Sequence, residues 1–195
     1  MNTGWRSRGY IPHFDRPDLM QSITLRLEDA VPESVIKQWK LELAWTKRMI
    51  AKDPRQVTLR RKIEKYEDAG FGACWLRNEH VAAIVEQTIL HYDSERYRII
   101  AWCVMPNHVH AIIEILAKYS LAEILHSWKS YSAHEANKIL SRSGKFWFRE
   151  YHDRFIRDSE HLANAVEYVE NNPVKAGLAV KKEEWRWSSA RRTYR

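Results

Sequence analysis

His108 and His110 stand one residue apart in Met105-Pro106-Asn107-His108-Val109-His110-Ala111-Ile112-Ile113-Glu114. Residues i and i+2 of a strand project from the same face, so this spacing brings two imidazoles side by side. The flanking runs, Tyr97 to Val104 and Ala111 to Leu116, are β-branched, aromatic and apolar, and Met-Pro-Asn punctuates them as a hairpin. Such a pair is suited to holding one metal ion. It also occurs on ordinary solvent-facing strands, and the chain has nine histidines in 195 residues. The pair therefore needs support from elsewhere.

That support lies about 60 residues later, in Tyr168-Val169-Glu170-Asn171-Asn172-Pro173. Tyr168 and Asn172 are four apart and share a helical face. A phenol near its ordinary pKa of about 10 is a poor nucleophile. It becomes useful when a divalent cation withdraws charge from a phosphodiester and stabilises the transition state. Attack would leave a 5′-phosphotyrosine and a free 3′-hydroxyl, conserving the bond energy for rejoining. Asn172 offers a carbonyl oxygen as third ligand or orienting group, suited to magnesium or manganese. Taken alone, Tyr168 reads as a half-buried helical tyrosine.

The elements that must position these groups follow from periodicity. Strands are expected at about 22–27, 97–104 and 109–116, with a further one near 154–156 or 178–180. A helix should run from about Glu33 to Lys52, its inner side carrying Val35, Ile36, Trp39, Leu43 and Ile50. Asp53-Pro54 interrupts it, and a basic helical stretch continues to about Asp68. Asn78 caps a helix to about Tyr92. Beyond Ser120 a helix to about Leu140 sends Leu121, Ile124, Leu125, Trp128 and Tyr131 inward. Ser159 caps a last helix to about Asn171, ended by Pro173. These elements make one α+β domain over residues 1–195, with a basic-aromatic tail at about 181–195.

Composition narrows the partners. The net charge of +7 favours polyanions. Basic residues crowd between Lys47 and Lys65, and the tail mixes arginines with Trp185 and Trp187. Phosphates attract the first kind and unstacked bases the second, although the two tryptophans serve equally well as core anchors. The candidate DNA contacts are Arg6, Arg8, Lys129, Lys145, Trp147, Arg149, Arg154, Lys175, Arg191 and Arg192. No apolar run approaches a membrane span of about 20 residues. Nothing at Met1 to Arg8 resembles a secretory signal, and two cysteines make no disulfide framework, so a reducing, cytoplasmic setting is expected.

His-Val-His after Met-Pro-Asn, followed by Tyr168-Val169-Glu170-Asn171-Asn172-Pro173-Val174-Lys175-Ala176-Gly177-Leu178, resembles the REP-associated tyrosine transposases. These are single-tyrosine HUH enzymes related to the single-strand insertion-sequence transposases. The likeness extends to Arg8-Gly9-Tyr10-Ile11-Pro12-His13-Phe14-Asp15, Gly72-Ala73-Cys74-Trp75-Leu76 and His126-Ser127-Trp128-Lys129-Ser130. It continues through Arg157-Asp158-Ser159-Glu160-His161-Leu162 and Trp185-Arg186-Trp187-Ser188-Ser189, and so covers nearly the whole chain. It implies a ferredoxin-like antiparallel sheet flanked by helices, with His108 and His110 as metal ligands on a central strand. Tyr168 would be the nucleophile and Asn172 its polar assistant, acting on single-stranded DNA beside a hairpin with Mg2+ or Mn2+. Two positions depart from the family pattern: Phe148 stands where glutamine is usual, and Arg186 where proline is usual.

Three rival readings remain. A histidine-triad hydrolase would need histidine at position 112, which is Ile112. A zinc hydrolase would recruit His126 or His161 but lacks a glutamate spaced as its base. A binding-only ferredoxin-like module would hold DNA or RNA without using the histidines and tyrosine together. The short connection before the tyrosine helix favours a monomer that completes its own site.

Overall fold

A computed structural model describes residues 5–7, 12–14, 19–46 and 53–191 of the chain, the first two segments as backbone only. Those two are short strands, β1 (Trp5–Ser7) and β2 (Pro12–Phe14), paired antiparallel. The principal sheet has four strands: β3 (Met20–Arg26), β4 (Tyr97–Val104), β5 (His108–Ile115) and β6 (His152–Phe155). Their spatial order is β4-β5-β3-β6, all antiparallel neighbours. Helix α3 (Glu79–Leu90) joins β3 to β4, and α4 (Leu121–Ile139) joins β5 to β6. This is the split β-α-β arrangement of ferredoxin-like folds, and the histidine strand β5 is central, as expected.

The sheet has two different faces. On one, Ile23, Leu25, Val109, Ala111, Ile113, Trp102 and Val104 pack under α3 and α4, which supply Val81, Val85, Ile89, Leu121, Ile124, Leu125 and Trp128. Buried polar atoms are bonded there: the Trp128 indole donates to the Tyr97 hydroxyl (2.9 Å), which donates to the Ile89 carbonyl (2.9 Å). On the other face lie Ala101, Cys103, Met105 and Ile112, covered by α5 (Ser159–Glu170) through Leu162, Ala165, Val166 and Val169. A register shift between Ile99 and Ala101 explains why β4 does not alternate strictly. The extra residue returns Trp102 and Val104 to the face of Ile99 and turns Ala101 and Cys103 toward α5.

An insertion precedes the first crossover helix. It comprises α1 (Glu33–Glu42) and α2 (Pro54–Asp68), the latter capped by Asp53. α1 is ten residues long, not the longer helix its periodicity suggests, because the chain turns at Leu43 and Ala44 takes a left-handed φ of 47°. Ile50, Lys47, Arg48 and Lys52 lie outside the described residues.

Other boundaries differ for local reasons. Asp158, not Ser159, caps α5, its carboxylate accepting from the His161 N–H at 2.7 Å. α5 stops at Glu170, and Pro173 opens a further turn, α6 (Asn172–Lys175), because proline lacks only an N–H that the first turn leaves unpaired anyway. Tyr131 is 55% exposed and takes no part in the core. β6 begins at His152, two residues earlier than expected, and 178–180 forms no strand.

The segment 185–189 covers the outer edge of β4. The Val104 N–H donates to the Trp187 carbonyl (2.8 Å), and the Trp185 indole donates to the Val104 carbonyl (3.0 Å). Ser189 Oγ accepts from the Trp102 N–H (3.2 Å) and lies within donating reach of the Glu170 carboxylate (3.0 Å). An exposed edge strand is a hazard, and this segment removes it. Trp185 and Trp187 are thereby anchors, not stacking platforms. No described helix is long and apolar enough to cross a membrane.

Candidate active site

β5 delivers His108 and His110 to the α5 face, together with Ile112. Both rings are buried, 4.7 Å apart between centroids and nearly perpendicular. Each Nδ1 has its own partner. His108 Nδ1 lies 2.7 Å from Asn107 Oδ1, and Asn107 Nδ2 in turn donates to the Phe71 carbonyl at 2.9 Å. His110 Nδ1 lies 3.0 Å from the hydroxyl of Thr24, its direct cross-strand neighbour on β3. Asn107 Oδ1 can only accept, so His108 Nδ1 donates to it and the His108 lone pair is on Nε2; where His110 Nδ1 donates to the Thr24 hydroxyl, its lone pair is on Nε2 as well. Neither Nε2 has a hydrogen-bond partner among the described residues.

A buried, unpartnered acceptor pair is costly unless a ligand uses it. Burial holds both imidazoles neutral: His108 titrates well below its ordinary value, and His110 falls to about 4 with help from the Lys175 charge. Neutral imidazole is the ligating form. The third donor comes from α2. Asp68 Oδ1 is 3.7 Å from His108 Nε2, and ligand atoms of Asp68, His108 and His110 all lie within 4.8 Å of one another. This donor set fits a divalent cation. Among the described residues no other His, Cys, Asp and Glu group does, so neither His126 nor His161 joins a site.

α5 brings Tyr168 to the same place from above the sheet. Its ring is 5.6 Å from that of His110, edge-on, and the Lys175 ammonium stands 4.3 Å from the Tyr168 ring centroid. Val169 fastens the helix, since it is fully buried against the sheet. Burial pushes the phenol well above its ordinary value, and the carboxylates of Glu64, Asp68 and Glu67 add to the effect. The Asn172 amide pulls weakly the other way, although neither of its buried polar atoms completes a well-formed hydrogen bond. Asn172 belongs to α6, not α5, yet the chain keeps turning through Asn171 and leaves the two side chains neighbours.

The proposed DNA contacts divide. Trp147 is 6% exposed and bonds Ser132 Oγ through its indole (2.9 Å), so it offers no face to a base. Lys129 Nζ donates to the Phe148 and Arg149 carbonyls at 2.7 Å each, which ties the aromatic loop to α4. Both are structural. Lys145, Arg149, Arg154, Lys175 and Arg191 are exposed. Arg6 lies in β1, where only the backbone is described, and Arg8 and Arg192 lie outside the described residues. Phe148, at the glutamine position of the family pattern, puts its ring 3.8 Å from the guanidinium of Arg26, and Arg186 pairs with Glu79 at 3.1 Å.

Thr24, Asn107 and Asp68 also belong to the site, none of them marked by the motifs of the sequence. Asn107 adjoins the histidines and was legible as a candidate partner. Asp68 was not, because its relation to β5 exists only once α2 folds back on the sheet.

A family model described as "Transposase IS200 like" matches residues 74–172, just over half of the chain and including both histidines, Tyr168 and Asn172. A Haemophilus influenzae protein assigned by name to the REP-associated tyrosine transposases is 28% identical over 117 residues, covering 55% of this chain and 65% of that relative. Among solved structures, a REP-associated tyrosine transposase bound to a REP hairpin superposes with a TM-score of 0.55 at 16% identity, over 94% of this chain and 81% of that one. That likeness is one of fold.

Proposed function

The chain belongs to the IS200-like transposase family, and from that premise we propose that it is a single-strand DNA endonuclease and strand-transferase that uses Tyr168 as nucleophile and a divalent cation. The observation that carries this reading is the meeting, within one chain, of two buried imidazoles with unpartnered Nε2 atoms and a tyrosine whose ring is 5.6 Å from one of them.

His108, His110 and an oxygen ligand would hold Mg2+ or Mn2+. Such an ion polarises a phosphodiester and stabilises charge on its non-bridging oxygens. The residues of the chain do the rest. The Tyr168 oxygen attacks phosphorus, the bond to the 3′-oxygen breaks, and a 5′-phosphotyrosine remains beside a free 3′-hydroxyl. Reversal with a second 3′-end rejoins DNA. Lys175, beside the Tyr168 ring, supplies a cation for the scissile phosphate, and Asn172 orients the phenol or adds a ligand oxygen. Because sheet, histidines and tyrosine come from one chain, a monomer would suffice.

The neighbour bound to a REP hairpin suggests the substrate, single-stranded DNA next to a hairpin. Exposed Lys145, Arg149, Arg154 and Arg191 would meet its backbone. The test is a tyrosine–DNA adduct formed on a hairpin oligonucleotide with Mg2+ or Mn2+, resolved by denaturing gel and mass spectrometry. Tyr168→Phe keeps the ring and its contacts but should form none. Cleavage by Tyr168→Phe at the wild-type rate would refute the assignment, and hairpin binding by a wild-type protein that never cleaves would leave a binding module.

A further inference from the structure

α2 ends against the histidine strand, and its last residue is the one carboxylate among the described residues that reaches both imidazoles. Asp68 takes no hydrogen bond from any described residue; it stands 3.7 Å from His108 Nε2 and feels the Lys175 charge. The side chain is 30% exposed, so it keeps an open path to ions in solvent. Facing it are His108 Nε2 and His110 Nε2, both in side chains with no more than 3% exposure and both without a partner. The Nδ1 contacts to Asn107 and Thr24 hold the two rings in place, and a ligand atom of each lies within 4.8 Å of the Asp68 carboxylate.

We propose that Asp68 is a direct ligand of the cation held by His108 and His110, making a site of two histidines and one carboxylate. The inference rests on the cation reading given above and adds to it a ligand from a different element. Asp68 lies outside the segment matched by the family model, residues 74–172, which contains both histidines and Asn172. The ligand is therefore contributed by the α1–α2 insertion. Two imidazoles alone favour borderline metals, whereas a carboxylate beside them extends the site to Mn2+ and adds charge to balance a dication.

A second consequence is mechanical. α2 meets the sheet face in its last two turns, where Glu67 lies 3.9 Å from Arg26 and Asp68 lies 3.7 Å from His108. A cation bridging Asp68 to β5 ties the insertion to the strand. Metal binding should thus protect α2 from proteolysis, not only stabilise the sheet.

The test uses the full chain, stripped by chelation and titrated with MnCl2 by calorimetry, with free Mn2+ read by electron paramagnetic resonance. Asp68→Asn preserves shape and removes the anionic ligand. Glu64→Gln removes a charge one turn earlier on α2 without removing a ligand. Asp68→Asn should weaken Mn2+ binding by about 10–100-fold or more, the range seen even for partners one shell out, and should abolish protection of α2 by Mn2+. Glu64→Gln should do much less. Equal losses in the two variants would mean a general field effect and overturn the proposal. So would unchanged affinity in Asp68→Asn. His108→Ala separates this from the underlying reading: binding lost there but kept in Asp68→Asn leaves the histidine site standing without the carboxylate, whereas binding kept in both removes the site altogether. Circular dichroism on each variant confirms the fold.

Discussion

Removal of the Asn107 side chain would separate the scaffold of the site from its chemistry. Asn107 is fully buried and makes two good hydrogen bonds, accepting from His108 Nδ1–H at 2.7 Å and donating to the Phe71 carbonyl at 2.9 Å. Each is worth about 1–1.5 kcal/mol net, and Asn107→Ala also leaves the buried His108 donor without its partner, for a total of about 3 kcal/mol. At roughly 2–4 °C per kcal/mol for a chain of this length, the melting temperature should drop by about 6–12 °C. His108 also loses the bond that selects its tautomer, so Mn2+ affinity should fall about 10–100-fold. Asn107→Asp divides the two effects. It keeps the oxygen facing His108 but replaces the amide that serves Phe71 with a second acceptor, so stability falls while Mn2+ affinity is retained. Urea denaturation in chelator measures the first quantity and calorimetric titration the second. An Asn107→Ala protein melting within about 1 °C of wild type, with unchanged Mn2+ affinity, would refute the reasoning.

Other parts of the molecule yield further expectations. Burial raises Glu67 from 4.5 to about 8, against the pull of Arg26. At Glu67 the folded chain then holds a proton that the unfolded chain releases, so this residue's contribution to stability should decline as pH rises from about 4.5 to about 8, while the depressed His108 and His110 act in the opposite sense over the lower part of that window. Glu67→Gln should flatten that decline in denaturation curves across the window; an unchanged slope would place the titration elsewhere. Ser189→Ala removes the hydroxyl that joins the β4 edge to Glu170 at the end of α5. It should loosen the terminal segment, read as faster trypsin cleavage after Arg186 and Arg191 with the core intact. Equal cleavage rates would show that Trp185 and Trp187 suffice to hold the edge.

Much of this architecture was legible because it is local. The strand pair around Met105-Pro106-Asn107, the Asn78 cap and the apolar stripe of α5 each follow from spacing and side-chain chemistry over a dozen residues. Errors arose where two local signals competed. Leu43 continues a helical stripe in pattern, yet the chain leaves the helix there and Ala44 takes a left-handed φ; Tyr131 fits the α4 stripe but falls on its wet side. Trp147 and Lys129 illustrate a different limit. An aromatic side chain in a loop or a basic one on a helix carries no mark of whether it turns inward, and here Trp147 fills the core while Lys129 of α4 bonds two carbonyls.

The residue types and their spacing determined the two local halves of the candidate site by themselves: His108 and His110 must share a strand face because strands alternate, and Tyr168 must lie near Asn172 because helices repeat every 3.6 residues. Tertiary structure alone decided that the two halves meet, and that Asp68, about 40 residues before the histidines in sequence, stands 3.7 Å from one of them. The reason is physical. Periodicity propagates only along one element, whereas the approach of α2 and α5 to β5 is set by which apolar faces pack together, a property of the whole sheet. Asp68 carries no periodic signature, and only the folding of α2 onto the histidine face gives it a role.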